Sequence, residues 1–476
     1  MFADEANMYA STLSKVRRLK GRSEAQTSAC ALSNSRLQFG TLIFAASYFT
    51  QQHVQAGVSS SATSAKPFHA EKIRSYDGDR LSIGEPHFDP SDTKPKLACK
   101  QIAVSTTINP VTKALRQVAS LHEWCLIIVG DLKTPPQTHL ELERELPKSV
   151  KFLSYDEQMA LPYASVSSTP TNHFGRKNLG YLYAAHAGAE LIFDFDDDNE
   201  LLPGGAIPTS FDRGRHVYHA RKNASSVLNP YKVGFRAVQM WPRGFPLDLI
   251  NEDDESITID PLEVEVPKGI IQSLANHDPD VDAIYRMGPR SALELPYNFE
   301  GGPPIVLKPH TYAPYNAQAT LVTQEAFWAQ MLPMTVHGRV SDIWRSYVSQ
   351  RLLWSAGLRL TFHSAWVVQV RNAHDYMGDY MSERPLYETA GELIRVLHVW
   401  KPTHDLPSSI SNLYIHLFEY GFLEAEDVVS VHNFLNDLAS IGYCFPSISK
   451  RKSGKLESSG TQTPAGDVVL TSKCDT

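Results

Sequence analysis

The chain has 476 residues, 42% of them apolar, with five cysteines and a formal net charge of −7. That length suits one large α/β domain with appendages and a sizeable core, and the acidic balance (pI near 6.2) excludes a nucleic-acid surface as the organising feature. Cys30, Cys99, Cys125, Cys444 and Cys474 are scattered with no Cys-x-x-Cys, so neither a zinc knot nor a disulfide framework is expected.

Residues 1–95 are polar and rich in Ser, Ala and Lys, with a linker-like run at 59–64, and read as a largely disordered leader. Within it, residues 37–49 are mildly apolar, a weak anchor at most, because a membrane span needs roughly 20 residues. The sequon Asn223-Ala224-Ser225 has meaning only in a lumenal chain. Packed structure is expected from about residue 97. Ile102-Ala103-Val104-Ser105-Thr106 reads as a first strand, residues 111–122 as a helix, Leu126-Ile127-Ile128-Val129 as a second strand closed by Gly130-Asp131, and Val150-Lys151-Phe152-Leu153 as a third. Strands alternating with helices predict a mostly parallel sheet whose ligands sit beyond the carboxyl ends of the strands. Gly130-Asp131 is at one such end.

Gly175-Arg176-Lys177 then opens a helix with Leu179, Leu182, Tyr183 and Ala187 on its apolar face. Cations at a helix N-terminus oppose the dipole unless an anion is bound there, so Arg176 and Lys177 are candidate diphosphate contacts. His186 on that helix reads as a packed or surface side chain. Next, Leu191-Ile192-Phe193 reads as a buried strand running into Asp194-Phe195-Asp196-Asp197-Asp198-Asn199. Carboxylates crowded at a strand end repel one another, and a hard cation such as Mn²⁺ or Mg²⁺ relieves the repulsion through its preferred oxygen ligands. Asp196 and Asp198 are the candidate metal ligands, with Asp197 and Asp131 as nucleotide contacts. The spacing is wrong for an EF-hand, whose glycine and closing glutamate would fall on Asn199 and Gly205. A phosphohydrolase with Asp194 as nucleophile is disfavoured by the extra negative charge of Asp198.

Residues 206–300 carry no clear periodicity, and Asp280-Val281-Asp282 reads as a structural turn. Tyr312-Ala313-Pro314-Tyr315-Asn316-Ala317-Gln318 is an aromatic, amide-bearing loop suited to hydroxyl recognition. Ser341 is expected to cap a helix with Ile343, Trp344, Tyr347, Val348 and Leu352 on one stripe. Asp342 is then either a favourable first-turn charge or the general base for an acceptor hydroxyl. Val367-Val368-Gln369-Val370 reads as a strand leading to His374, a candidate third metal ligand. Residues 401–446 are expected to form a helical extension, and 447–476 a disordered tail.

Three blocks are more specific together than singly: Val129-Gly130-Asp131-Leu132-Lys133-Thr134-Pro135; His173-Phe174-Gly175-Arg176-Lys177-Asn178-Leu179-Gly180-Tyr181 with the acidic run; and Val336-His337-Gly338-Arg339-Val340-Ser341-Asp342-Ile343-Trp344-Arg345. This combination resembles the STELLO glycosyltransferase family over about residues 97–400, with a weaker echo of the reversibly glycosylated polypeptides. The resemblance implies a GT-A-like, Rossmann-like nucleotide-diphospho-sugar transferase fold with Asp196 and Asp198 as its metal and diphosphate element. It implies a nucleotide-sugar donor, a glycan, lipid or protein acceptor, a Golgi type II membrane setting and association with a glycan-synthase complex. A scaffold that keeps the fold and binds sugar nucleotide without transfer is the other reading.

Overall fold

A computed structural model describes residues 86–448 except 92–93, 210–215, 221–226, 236, 238, 252–256, 261–267, 290, 300, 303 and 372–374. The described residues fall in one unit, Glu71–Thr476. The strands are β1 (Gln101–Thr106), β2 (Trp124–Val129), β3 (Val150–Leu153), β4 (Leu191–Phe195), β5 (Asn199–Leu201), β6 (His216–Ala220), β7 (Ile257–Asp260), β8 (Gly269–Asn276), β9 (Ile305–Leu307), β10 (Ala319–Thr323) and β11 (Arg359–Gln369). The longer helices are α1 (Lys113–Ala119), α2 (Gln137–Glu145), α3 (Lys177–Ala187), α4 (Gly338–Ser355), α5 (Tyr376–Val399), α6 (Leu406–Glu419) and α7 (Ala425–Ser440).

One sheet runs in the order β3-β2-β1-β4-β10-β8-β11-β9-β6-β7, with β5 added on β11. β3, β2, β1 and β4 are parallel, as are β8 and β11, while β10 lies antiparallel between β4 and β8. The expected α/β class with a mostly parallel central sheet is what the chain forms, and the antiparallel β10 makes that sheet mixed.

Both faces of the sheet are covered, which is why β2 reads as an unbroken apolar run and is buried at every position. Alternation then sorts side chains: Ile102 and Val104 enter the core shared with α3, α4, α6 and α7, while Ala103 enters the core under α1 with Leu115, Val118, Phe193 and Phe195. Residues 401–446 thus contribute helices α6 and α7 to the main core rather than an appended layer.

Two glycines set the placement of α3. A Cβ on Gly180 would lie 2.6 Å from Val129 Cγ2 and 2.7 Å from Val104 Cγ1, so its bareness brings the helix down onto β1 and β2. Gly188, at φ +87°, ends the helix in the left-handed conformation that glycine adopts without a Cβ penalty. α4 differs from its expectation. It begins three residues earlier than Ser341, is capped by the His337 side chain, and is buried continuously from Val340 to Leu353 rather than along one stripe. Ser341 lies inside it and donates to Pro333 O at 2.6 Å.

Cys99 and Cys125 form a disulfide, Cα–Cα 5.6 Å, joining the segment before β1 to the start of β2. The scattered, odd-numbered cysteines gave no sign of this pairing. Among the described residues, no helix is long and apolar enough to cross a membrane. Residues 37–49 and the sequon at Asn223 lie outside the described residues.

Candidate active site

Two adjoining crevices open at the carboxyl ends of the central strands, and both include Phe174, Asp196 and Asp198. The first, about 370 Å³, is walled by Thr106 to Asn109 after β1, by Asp131 and Lys133 after β2, and by Asn172 to Phe174 ahead of α3. The second, about 280 Å³, is lined by Arg243, Asp280, Asn316, Gln318, the start of α4, Gln369 and Arg371. The acidic turn is the ridge between them.

The carboxylates of that turn have separate occupations. Asp194, still on β4 and fully buried, is clamped by Arg345 Nη1 from α4 at 3.0 Å and pairs closely with Lys177 Nζ at 2.6 Å. This removes it as a phosphohydrolase nucleophile, because no phosphate can reach it. Asp196 lies 3.3 Å from Lys177 Nζ and keeps 36% of its side-chain surface. Asp197 accepts hydrogen bonds from Thr107 Oγ1 and, at 3.0 Å, from Asn109 Nδ2. Asp198 accepts from two amides, Asn199 Nδ2 at 3.2 Å and Gln369 Nε2 at 3.4 Å. Those two amides face each other because Gln369 pairs with Asn199 where β11 meets β5.

Burial and mutual repulsion push the Asp196 carboxyl up to about 7 against the pull of Lys177, and the Asp198 carboxyl up to about 6. Solvent at the open part of Asp196 tempers that effect. Both carboxylates line the two crevices, at their shared edge.

The two cations at the helix start do not sit as the sequence reading placed them. Arg176 is fully buried, donates to Gln158 Oε1 at 2.8 Å and Pro170 O at 3.2 Å, and stacks over Tyr155. It lines neither crevice, so its charge fixes the loop ahead of α3 and does not face a diphosphate. Lys177 is also fully buried, donating to Phe195 O at 2.9 Å and Ala317 O at 3.0 Å besides its two carboxylates. Burial works against its charge, yet Asp194 and Asp196 outweigh that and raise its pKa. It is the internal counter-ion of the acidic turn.

Asp342 is likewise occupied. Arg243 grips both its oxygens, at 3.0 and 2.9 Å, and the Ile343 and Ala317 N–H groups donate to it as well. A general base needs a lone pair turned to the acceptor. With four donors on its carboxylate, Asp342 holds Arg243 and does not deprotonate a hydroxyl in this arrangement. Arg243 also binds Asp280, whose carboxyl is pulled down to about 2 because the guanidinium outweighs the cost of burial. Asp131 lines the first crevice, but its carboxylate accepts from Leu132 N at 2.8 Å and from His173 N at 3.0 Å, which ties the β2 loop to the start of α3. His374 lies outside the described residues.

Arg243, Arg371, Gln369, Thr107 and Asn109 escaped the sequence reading. Arg243 sits in the aperiodic stretch, and isolated polar residues at strand ends carry no spacing signal. Gln369 was assigned only to a strand.

Sequence comparison shows the resemblance to the STELLO glycosyltransferases. The profile of that family matches residues 339–468. The chain is 31% identical over 370 residues to "Probable glycosyltransferase STELLO2" and 30% identical over 369 residues to "Probable glycosyltransferase STELLO1", both of Arabidopsis thaliana. In each case the match covers 73% of this chain, and the chain spans 45% of the relative's length. Among solved structures, glucosyl-3-phosphoglycerate synthase of M. tuberculosis matches at 11% identity and a TM-score of 0.26, over 63% of this chain and 83% of that one. S. aureus TarS 1–349 in complex with UDP-GlcNAc matches at 10% identity and a TM-score of 0.25, over 73% and 93%. Both are distant likenesses.

Proposed function

We propose that this chain, kin by sequence to the STELLO glycosyltransferases, is a metal-dependent glycosyltransferase that moves a sugar from a nucleotide-diphosphate donor to a glycan, lipid or protein acceptor. The observation that carries the reading is the acidic ridge. Asp196 and Asp198 are the carboxylates of the turn that line both crevices, and they stand where one crevice ends and the next begins. A donor in the first crevice would put its diphosphate against them and its sugar over the ridge.

The donor set suits a hard cation such as Mn²⁺ or Mg²⁺: carboxylate oxygens, with the Gln369 amide beside them. Among the described residues no group of three or more His, Cys, Asp or Glu could hold a metal ion by itself. Asp196 and Asp198 would therefore hold it jointly with diphosphate oxygens, and affinity for the ion should depend on the nucleotide. A bound cation supplies Lewis-acid stabilisation of the charge that grows on a departing nucleoside diphosphate. The chain's own part is to keep the two carboxylates ionised and aimed: Lys177 offsets Asp196 from within, and Asn199 and Gln369 orient Asp198. Thr107, Asn109 and Asp131 shape the nucleotide wall, while Asn316, Gln318 and Gln369 offer amides to sugar hydroxyls. The Cys99–Cys125 bond supports work in an oxidising compartment such as the Golgi lumen.

Calorimetry with UDP and GDP, each with and without Mn²⁺, tests the reading. The wild type should bind one of them only in the presence of the ion, and Asp198→Ala should lose that binding, by about a hundredfold or more, while melting cooperatively. Metal-independent binding, or binding retained in Asp198→Ala, would refute the metal role. No binding at all would overturn the whole assignment.

A further inference from the structure

The third acidic residue of the ridge, Asp197, has a geometry unlike its neighbours. Its Oδ2 accepts from Thr107 Oγ1 and Asn109 Nδ2, and its backbone carbonyl accepts from Thr112 Oγ1 at 2.6 Å. All three donors belong to the loop that leaves β1 and enters α1, where Thr112 also caps the helix by accepting from Leu115 N. Thr107, Ile108 and Asn109 of that loop form a wall of the first crevice. The loop is braced from its other side too: the Thr107 carbonyl accepts from Thr134 Oγ1, and the Asn109 carbonyl accepts from His139 Nε2. In that second bond the ring's donor role is the one the carbonyl demands.

We propose that Asp197 is a positioning residue, a latch that closes the 107–112 loop onto the acidic ridge and so sets the width of the nucleotide pocket, and that it neither ligates the cation nor touches the phosphate. This deepens the transferase reading and rests on it. The physical ground is the orientation these bonds impose: with Oδ2 of Asp197 accepting from both Thr107 and Asn109, the carboxylate is turned to the loop. Its peptide carbonyl takes a third. Turning the carboxylate toward a ligand would leave Thr107 and Asn109 without their partner and free the wall of the pocket. Asp196 and Asp198, by contrast, make no bond to that loop: Asp196 pairs with the buried Lys177, and Asp198 accepts from Asn199 and Gln369.

The latch makes a sharp distinction between shape and charge. Asparagine keeps an oxygen where Oδ2 stands and loses the negative charge; alanine loses both. Mn²⁺-dependent UDP or GDP binding should therefore fall about tenfold or more in Asp197→Ala and stay within about twofold of wild type in Asp197→Asn. Thr107→Val should reproduce much of the alanine effect. Hydrogen exchange gives a readout that needs no ligand: amides of 107–112 should exchange faster in Asp197→Ala and as in wild type in Asp197→Asn. If Asp197→Asn binds as poorly as Asp197→Ala, the charge itself is required, and the latch is wrong in favour of a ligand. Unchanged binding and exchange in Asp197→Ala would overturn it as well. A wild type that binds neither nucleotide refutes the transferase assignment and with it the pocket role, and the exchange experiment alone then decides whether the loop is latched.

Discussion

Four carboxylates within five residues must be held folded before any cation arrives, and the chain does so unevenly. Asp194 has Lys177 and Arg345, Asp196 shares Lys177, Asp197 accepts from Thr107 and Asn109, and Asp198 accepts from the amides of Asn199 and Gln369. Burial, with repulsion from neighbouring carboxylates, displaces the Asp196 and Asp198 carboxyls upward, to about 7 and about 6. The sign of the consequence is fixed. A carboxyl with a folded-state pKa above its unfolded value favours the fold most when protonated, fully so below about 4, and loses that contribution as pH rises through 6 and 7. A cation needs the ionised forms and competes with those protons, so its affinity runs the other way. Mn²⁺-dependent nucleotide binding should strengthen by about tenfold or more between pH 5.5 and 7.5 and level off above. Calorimetry across that interval checks it, and a flat profile would remove Asp196 and Asp198 as the ligands. At this scale the acidic run was legible because charge crowding is a sequence property. The partners were not. Nothing local in the sequence tells that Arg176 turns inward to Gln158, or that Arg243, 99 positions away, reaches Asp342 and takes away its freedom to act as a base.

The elements that carry the first crevice were readable for a related reason: β1, β2, β3 and β4 are short apolar runs ended by turn or acidic residues, and α3 follows a glycine break. β10 resisted, and α4 was legible as a helix but not in its start or in its burial on all sides. β10 is antiparallel between two strands of the opposite direction, a topological fact with no local signature. α4 is buried on all sides, so its polar residues face partners rather than water and blur the stripe that a surface helix would show. The close seat of α3 makes a prediction at this scale. In Gly180→Ala the added methyl meets Val129 and Val104 at distances that cannot be kept. Either α3 lifts or the two valines leave their rotamers, at about 1–3 kcal/mol. Because Lys177 begins that helix and bridges Asp194 to Asp196, lifting it should also weaken metal-dependent nucleotide binding. A urea melt gives the first effect and calorimetry the second. A variant as stable as wild type would mean that the valines, rather than the helix, make the room.

At the scale of the molecule, the sheet separates what must be rigid from what must be reached. Crevice residues gather at the carboxyl ends of β1, β2 and β4, and the Cys99–Cys125 bond lies at the opposite, amino-terminal ends of β1 and β2. That division was hidden in the sequence, since five dispersed cysteines do not announce a pair and only the parallel register of β1 with β2 places Ile102 beside Cys125. It also predicts how stability and binding part company. With the bonded cysteines 26 positions apart, constraint of the unfolded chain is worth about 3–4 kcal/mol in the loop-entropy account. Cys99→Ser/Cys125→Ser, or protein made in a reducing cytosol, should melt several degrees lower. Its affinity for nucleotide with Mn²⁺ should stay within about twofold, because the pocket is built at the far ends of the same strands. Thermal melting and calorimetry on one preparation decide the matter. An unchanged melting temperature would mean that packing around the buried Cys125 already supplies the constraint. Lost binding with melting intact would mean that the two ends of β1 and β2 are coupled through the strands, and the separation of rigid base from working edge would have to be given up.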